Sequence, residues 1–345
     1  MSRESIDILI SAGPGEARYL VLADGRPLDL IVDRPTLLQD CVFSGRVTAL
    51  DKGLDAAFVE LGRGGRAGFL PGAKALGLSE GAAIVVRVRA EARGGKGPLL
   101  SPQEGFAALG EAPTLLHRPD PLERLRTAFP EARTVPDAHH EVDEALDAAL
   151  DPVAPLPGGG RLVIEQAAAL TAIDVDSAGA RPAETNAAAV AEIARQLRLR
   201  NIGGQVVVDF VSGRDRKPLF RLAEALKQAV GADPTPTHVF GVSPLGLVEL
   251  TRERRGPSLG ELLCRRALAA TPETLALAAL RRLLAEALAA PGRILAIRAA
   301  PGVAAALMGL GPERAEAERL LGHSLSISED AARAPEDVLI EEATR

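Results

Sequence analysis

Two apolar runs that each end in a carboxylate, with one amphipathic helix between them, constrain this chain more than any other feature. Ala172-Ile173-Asp174-Val175-Asp176 closes the first run, and Val206-Val207-Val208-Asp209-Phe210 closes the second. Between them, the segment from Glu184 to Arg200 carries Val190, Ile193, Ala194 and Leu197 at helical spacing, and Gly203-Gly204 ends it. Strand, helix and strand in that order predict a βαβ step. A carboxylate at the end of a hydrophobic strand is costly unless it is solvated, paired or bound to a cation. Two of them one βαβ step apart can converge at the carboxyl edge of a sheet. The spacing therefore describes a divalent-cation site, or alternatively structural acids paired with arginines of the same domain. Asp174, Asp176 and Asp209 are hard oxygen donors with no histidine or thiolate beside them in sequence, which favours Mg²⁺.

The chain has 345 residues, room for two or three domains. Hydrophobic residues make up 47% and charged ones 25%, a globular rather than a disordered balance. No apolar run reaches membrane-spanning length and no signal peptide is expected, so no membrane partner is anticipated. Cys41 and Cys264 are the two cysteines, and neither belongs to a C-x-x-C pair. That predicts a reducing, cytoplasmic setting and no structural zinc. Net charge is −6, yet cations cluster: nine Lys/Arg against five Asp/Glu from Cys41 to Leu100, and eight against three from Arg195 to Lys227. A basic stripe on an acidic protein is compatible with RNA binding, and ordinary charge fluctuation explains it equally well.

Along the chain, Ile6–Ile10, Tyr19–Leu22 and Leu28–Val32 read as strands, with Asp24-Gly25 as a hairpin turn. Residues 40–100 hold short strands split by glycine turns, which suggests a closed OB-type barrel. Gly62–Gly68 and Gly94–Gly97 read as hairpin turns rather than nucleotide loops, because no helix follows the first and the second lacks the Walker spacing. Phe58 and Phe69 lie in this barrel and serve either as base-stacking rings or as core. Leu122–Phe129 and Val142–Leu150 read as short helices. Residues 161–250 alternate strand and helix, and residues 258–345 form a last small α/β unit with a helix from Thr271-Pro272-Glu273 to about Ala289. Arg195, Arg198 and Arg200 are candidates for phosphate contact, or else a solvated helix face. The five histidines form no i, i+4 ligand pair and receive no role.

The quoted residues resemble the catalytic core of the RNase E/G family of endoribonucleases. Thr171–Ser177, Glu184-Thr-Asn186, Glu192–Arg200, Gly203-Gly204, Val207–Phe210, Gly246–Arg252 and Pro257–Gly260 carry the likeness. Gly45–Thr48, Ala56–Val59 and Gly68–Pro71 are similar to the family's S1 RNA-binding domain. The resemblance implies an α/β chain of α+β multidomain type. An RNase H-like segment would occupy residues 1–35 and 112–160. An inserted S1 (OB-type) barrel would span 36–100, a DNase I-like catalytic domain 161–260, and a small C-terminal α/β domain 261–345. It further implies a Mg²⁺-dependent endoribonuclease acting on single-stranded RNA, with Mn²⁺ a possible substitute and no zinc. Asp174 and Asp209 would be the catalytic metal ligands, with Asp176, in the place of an asparagine, as a third group supporting the ion directly or through water. Phe58, Phe69, Lys96 and Arg46 would bind RNA. The alternative is a catalytically inactive RNA-binding protein of the same fold.

Three departures stand out. Leu100-Ser101-Pro102 leads within a dozen residues to Ala112–His117, leaving no space for the family's 5′-monophosphate sensor. The zinc-link cysteine pair is reduced to Cys264, so a zinc-linked dimer is not expected and the oligomeric state stays open. The loop from Ser177 to Glu184 is short, and Pro244 stands where the family pattern has arginine.

Overall fold

Three strands joined by tight turns open the computed structural model, which describes residues 5–107, 112–212, 216–264 and 270–343. β1 (Ile6–Gly13), β2 (Glu16–Ala23) and β3 (Arg26–Asp33) form an antiparallel meander. Asp24 and Gly25 both adopt positive φ, 47° and 76°, as a two-residue hairpin turn of the twist-matched kind requires. Both faces of this sheet are apolar: Leu9, Leu20 and Leu30 line one, and Ile8, Tyr19 and Val21 the other. Such a sheet must be covered twice.

Before that happens the chain builds a barrel. β4 (Val42–Asp51), β5 (Ala56–Glu60), β6 (Gly68–Pro71), β7 (Ala83–Ala90) and β8 (Leu99–Pro102) follow one another around it. They pair in the order β5-β6-β8-β7-β4, and β4 pairs again with β5, so the sheet closes on itself. Phe43, Val47, Val59, Leu70, Val86 and Leu100 fill the interior. β9 (Thr114–His117) falls differently from the sequence expectation, which assigned it to the segment after the barrel. It pairs with β4 through Val42–Ser44 and joins the barrel sheet. The reason is an open edge: β5 pairs only with the second half of β4, from Arg46 onward, leaving the first half free to accept another strand.

α1 (Pro121–Ala128), β10 (Arg133–Val135) and α2 (His139–Leu150) then return to the first sheet. β10 adds parallel to β1. α1 brings Leu125 to one face, and α2 brings Val142, Ala145 and Leu146 to the other.

The next layer contains β11 (Val153–Pro155), β12 (Arg161–Gln166), β13 (Leu170–Asp176), α3 (Pro182–Leu199), β14 (Gly204–Asp209), α4 (Lys217–Ala229), β15 (Thr237–Val242) and β16 (Val248–Arg252). Their sheet order is β11-β12-β13-β14-β16-β15. β13 and β14 are parallel, joined by α3 as the crossover, while every other pairing is antiparallel. The inward residues Leu162, Ile173, Val206, Val208 and Leu250 pack against Ile193 and Leu197 of α3 and Leu219 and Leu226 of α4. β15 was not foreseen, because exposed Phe240 and a register shift beside Gly241 hide its alternation. α5 (Leu259–Leu263) starts with a reciprocal cap between Ser258 and Glu261 and sends Leu259 into the core beneath β3 and α2.

Residues 1–265 make one compact unit and 266–345 a second. The second comprises α6 (Pro272–Ala289), β17 (Leu295–Ala299), α7 (Pro301–Gly309), α8 (Gly311–Leu321), β18 (Ser326–Glu329) and β19 (Leu339–Glu342). β17 is central, parallel to β18 and antiparallel to β19. α7 escaped the sequence reading because Pro-Gly-Val-Ala-Ala-Ala-Leu-Met-Gly lacks polar residues to mark a face. Among the described residues no helix is long and apolar enough to cross a membrane.

Candidate active site

Strand alternation decides where the aspartates go. Ile173 and Val175 face the helices, so Asp174 and Asp176 face the opposite side of the sheet. Asp209 does the same on β14, following buried Val208. The parallel register sets Asp174 directly beside Asp209. Neighbouring strands run about 4.8 Å apart, so the two carboxylates share one small space. Asp174, Asp176, Ser177, Asp209 and Ser212 line a shallow depression there, at the carboxyl edge of the parallel pair. Burial pushes the Asp174 carboxyl above its usual range, and the charges of Asp209 and Asp176 push it the same way. Asp174 is thus a carboxylate short of positive charge.

Asp176 behaves otherwise. Its Oδ1 accepts the Ala178 N–H at 2.8 Å, and its Oδ2 accepts Nε of Arg161 at 3.0 Å, with Nη2 of the same guanidinium at ion-pair distance, 2.8 Å. The Ala178 N–H and then Arg161 hold its carboxyl below the usual range. Among the described residues no group of three or more His, Cys, Asp or Glu side chains is arranged to hold a metal ion. Both oxygens of Asp176 are thus engaged, one by Arg161 and one by the following turn. Arg161 was missed from sequence, although the hairpin register carries the signal. Gln166 pairs with Thr171, which sets Arg161 opposite Asp176. Gly160 makes this approach possible. It sits at φ +87°, and a Cβ there would lie 2.7 Å from the Asp176 carbonyl oxygen.

The end of β14 is fixed from the helix side. Buried Asn186 of α3 donates from Nδ2 to the Val211 carbonyl (2.8 Å) and accepts the Val211 N–H on Oδ1 (3.1 Å). The amide thus imitates a strand partner two residues beyond Asp209. The next residues, 213–215, lie outside the described residues.

The three arginines at the end of α3 are not part of this depression. Arg195 pairs with Glu192 and donates to the Pro27 carbonyl at 2.6 Å. Arg198 donates Nε and Nη2 to Asp29 at 3.1 Å. Arg200 is buried and donates to Gln196 and to the Asp151 carbonyl. They tie α3 to β3 and to the end of α2. The partners Asp29 and Asp151 are remote in sequence, which hid them. Arg46 donates to the carbonyls of Ala112 and Gly81 and staples the barrel.

Phe58, Phe69 and Lys96 do come together. Phe58 on β5 pairs across the ladder with Phe69 on β6, and the rings meet edge to face with centroids 6.0 Å apart. Ala57, Val59 and Leu70 point into the barrel, so both rings point out and stay half-buried. Thr48, Leu54, Arg66 and Lys96 line the same groove. Lys96 stands at its rim because the Gly94-Gly95 turn closes with an Arg93–Lys96 bridge. Cys41 is buried and Cys264 exposed. The residues after Cys264, 265–269, lie outside the described residues.

Residues 121–255 match the model of the Ribonuclease E/G family. Ribonuclease E of Nostoc sp. (strain PCC 7120) is 42% identical over 132 residues, 36% of this chain and 19% of that protein. Ribonuclease G of Salmonella typhimurium is 38% identical over 133 residues, 36% of this chain and 27% of the relative. Ribonuclease E of Escherichia coli is 37% identical over 132 residues, 36% of this chain and 12% of the relative. The chain thus spans well under a third of the length of these relatives. The matched segment contains Asp174, Asp176, Asp209, Arg161 and Asn186, and does not reach the barrel.

Proposed function

We propose, from the likeness of residues 121–255 to the Ribonuclease E/G family, that this chain is an endoribonuclease of that kind, cleaving single-stranded RNA with a divalent cation. The observation that carries the reading is the register pair of Asp174 and Asp209, two carboxylates side by side on adjacent rigid strand ends. Hard oxygen donors without nitrogen or sulfur fit Mg²⁺ or Mn²⁺, and Mg²⁺ commonly takes only one or two carboxylates and keeps several waters. Asp174 and Asp209 would hold the ion, which when bound supplies positive charge to the phosphoryl oxygens. The chain's own part is to hold both carboxylates in place, with Asn186 fixing the end of β14. The reading entails hydrolysis that leaves a 5′-phosphate on the downstream fragment. It keeps the first sheet as an RNase H-like structural half and residues 161–260 as a DNase I-like catalytic domain. Labelled single-stranded RNA and its DNA copy, incubated with Mg²⁺ and with EDTA, test it. RNA cleavage in Mg²⁺ alone is expected. Binding without cleavage would mean an inactive RNA-binding protein, and cleavage of both strands a general nuclease.

The barrel groove is read as the RNA grip. Stacking a base on an aromatic ring is worth about 1–3 kcal/mol. Phe58→Ala and Phe69→Ala should each weaken RNA binding by roughly that amount while the melting temperature holds, since both rings face outward. Fluorescence anisotropy with a labelled oligonucleotide, beside thermal melts, reads both. Melting loss without a binding defect would make the rings structural.

The segment between Leu100 and Ala112 bears on the 5′ end, although residues 108–111 lie outside the described residues. Twelve residues span at most ~40 Å when extended and leave no fold to line a pocket. Equal cleavage rates are expected for 5′-monophosphate, 5′-triphosphate and 5′-hydroxyl forms of one RNA. A monophosphate advantage of about tenfold, ~1.4 kcal/mol, would mean that a terminal-phosphate pocket exists elsewhere.

A further inference from the structure

We infer that Arg161 is the phosphate-binding cation of this site and Asp176 its orienting partner. The inference rests on the endoribonuclease reading and assigns it a group that the catalytic aspartates cannot supply. Asp174, Asp176 and Asp209 line one depression, and among the described residues no Lys or Arg side chain lines it with them. A phosphodiester entering there brings a further negative charge. One divalent ion offsets only two of these charges, so the substrate is repelled unless a fixed cation stands beside it. Among the described residues, Arg161 brings its guanidinium to the cluster, through its ion pair with Asp176 at 2.8 Å.

Its geometry suits the task. A guanidinium has five N–H donors in a rigid fork. Arg161 spends Nε on one oxygen of Asp176, and its Nη2 stands at ion-pair distance from the same oxygen. Among the described residues it has no other hydrogen-bond partner, and its side chain is 52% exposed. The Nη1–Nη2 edge is therefore left for a planar pair of oxygens, the arrangement in which arginine grips phosphate in a bidentate way. Asp176 is itself held by the Ala178 N–H, so the fork is anchored to the turn and does not sweep freely. Arg161 also starts β12 directly across from Asp176, on the strand next to Asp174. Substitution of Asp176 by a neutral residue would release the guanidinium and leave the two metal-holding carboxylates untouched.

The test uses the full chain and three readouts. The first is kcat and KM on a labelled single-stranded RNA with Mg²⁺. Arg161→Ala should lower kcat/KM about 100-fold, and Arg161→Lys, which keeps charge but loses the fork, about 10-fold. Asp176→Asn should fall by less than Arg161→Ala, and the double variant Arg161→Ala/Asp176→Ala should be no worse than Arg161→Ala alone, because the two act as a unit. The second readout is Mn²⁺ binding measured by calorimetry without RNA. Asp176→Asn should change it by less than about threefold, since its carboxylate is engaged by Arg161 and the Ala178 N–H and acts on the ion only as a solvent-screened charge. The third is anisotropy of the same RNA with Asp209→Asn protein, where no turnover interferes. Adding Arg161→Ala should weaken that binding about 10-fold. Arg161→Ala cleavage within about threefold of wild type, or unchanged RNA binding in the Asp209→Asn background, overturns the phosphate role. A loss of Mn²⁺ affinity of about tenfold or more in Asp176→Asn that Arg161→Ala does not share overturns the partner role and places Asp176 in the metal site itself. Should the unaltered protein not cleave RNA at all, the endoribonuclease reading fails by itself, while the Mn²⁺ and anisotropy arms still decide the roles of Asp176 and Arg161.

Discussion

Replacing Asp174 or Asp209 by asparagine is expected to lower RNA cleavage by about a thousandfold, roughly 4 kcal/mol of transition-state stabilisation. An amide is nearly the size of a carboxylate, so the fold should persist, but it offers a divalent ion no negative charge. The two residues sit side by side in register, so neither can stand in for the other. In the metal-free protein the substitution should raise the melting temperature slightly. Asp174 is destabilised as an anion by burial and by Asp209 and Asp176, and removing one charge relieves that penalty. Single-turnover cleavage of a labelled single-stranded RNA, alongside thermal melts in EDTA, measures both effects. A wild-type rate in either variant would sink the metal assignment. A large loss of melting temperature would mean that the aspartates serve the fold instead.

The second large effect concerns stability, behind the same sheet. Arg252 at the end of β16 and Asp233 are 3% and 5% exposed. Arg252 grips Asp233 with Nε (2.7 Å) and Nη2 (3.2 Å) and donates Nη1 to the Ile202 carbonyl at 3.0 Å. Arg252→Ala would leave the Asp233 carboxylate buried without its partner, a loss of about 3–5 kcal/mol. Replacing both residues with apolar ones of similar volume should recover most of it, because a buried pair contributes little net stability once its desolvation is counted. Urea unfolding of the three proteins makes the comparison. If Arg252→Ala falls within roughly 1 kcal/mol of wild type, water reaches Asp233 and the pair behaves as a surface one.

These two cases mark what could be read at each level. The sequence determined the βαβ step around α3, because Val190, Ile193 and Leu197 recur at helical spacing between two apolar strands. It determined the paired aspartates for the same reason: strand period and crossover length are local properties, and they carry Asp174 and Asp209 to one edge without help from the rest of the chain. The outward direction of Phe58 and Phe69 was left open between stacking and core. Only barrel closure decided it, by choosing Ala57, Val59 and Leu70 as the inner row.

Charge was the least legible quantity. Arg195, Arg198 and Arg200 form a basic run in sequence, and in the fold they meet Glu192, Asp29 and the Asp151 carbonyl. Arg161 has no basic neighbours in sequence and stands at the aspartate cluster. β9 likewise went to the barrel because β4 offered an unfilled edge, not because of anything in Thr114–His117. The physical reason is common to all three. Apolar periodicity acts over a few residues and is written in the chain. The partner of a charge or of a strand edge is chosen by chain segments tens of residues away, and only the folded structure brings those together.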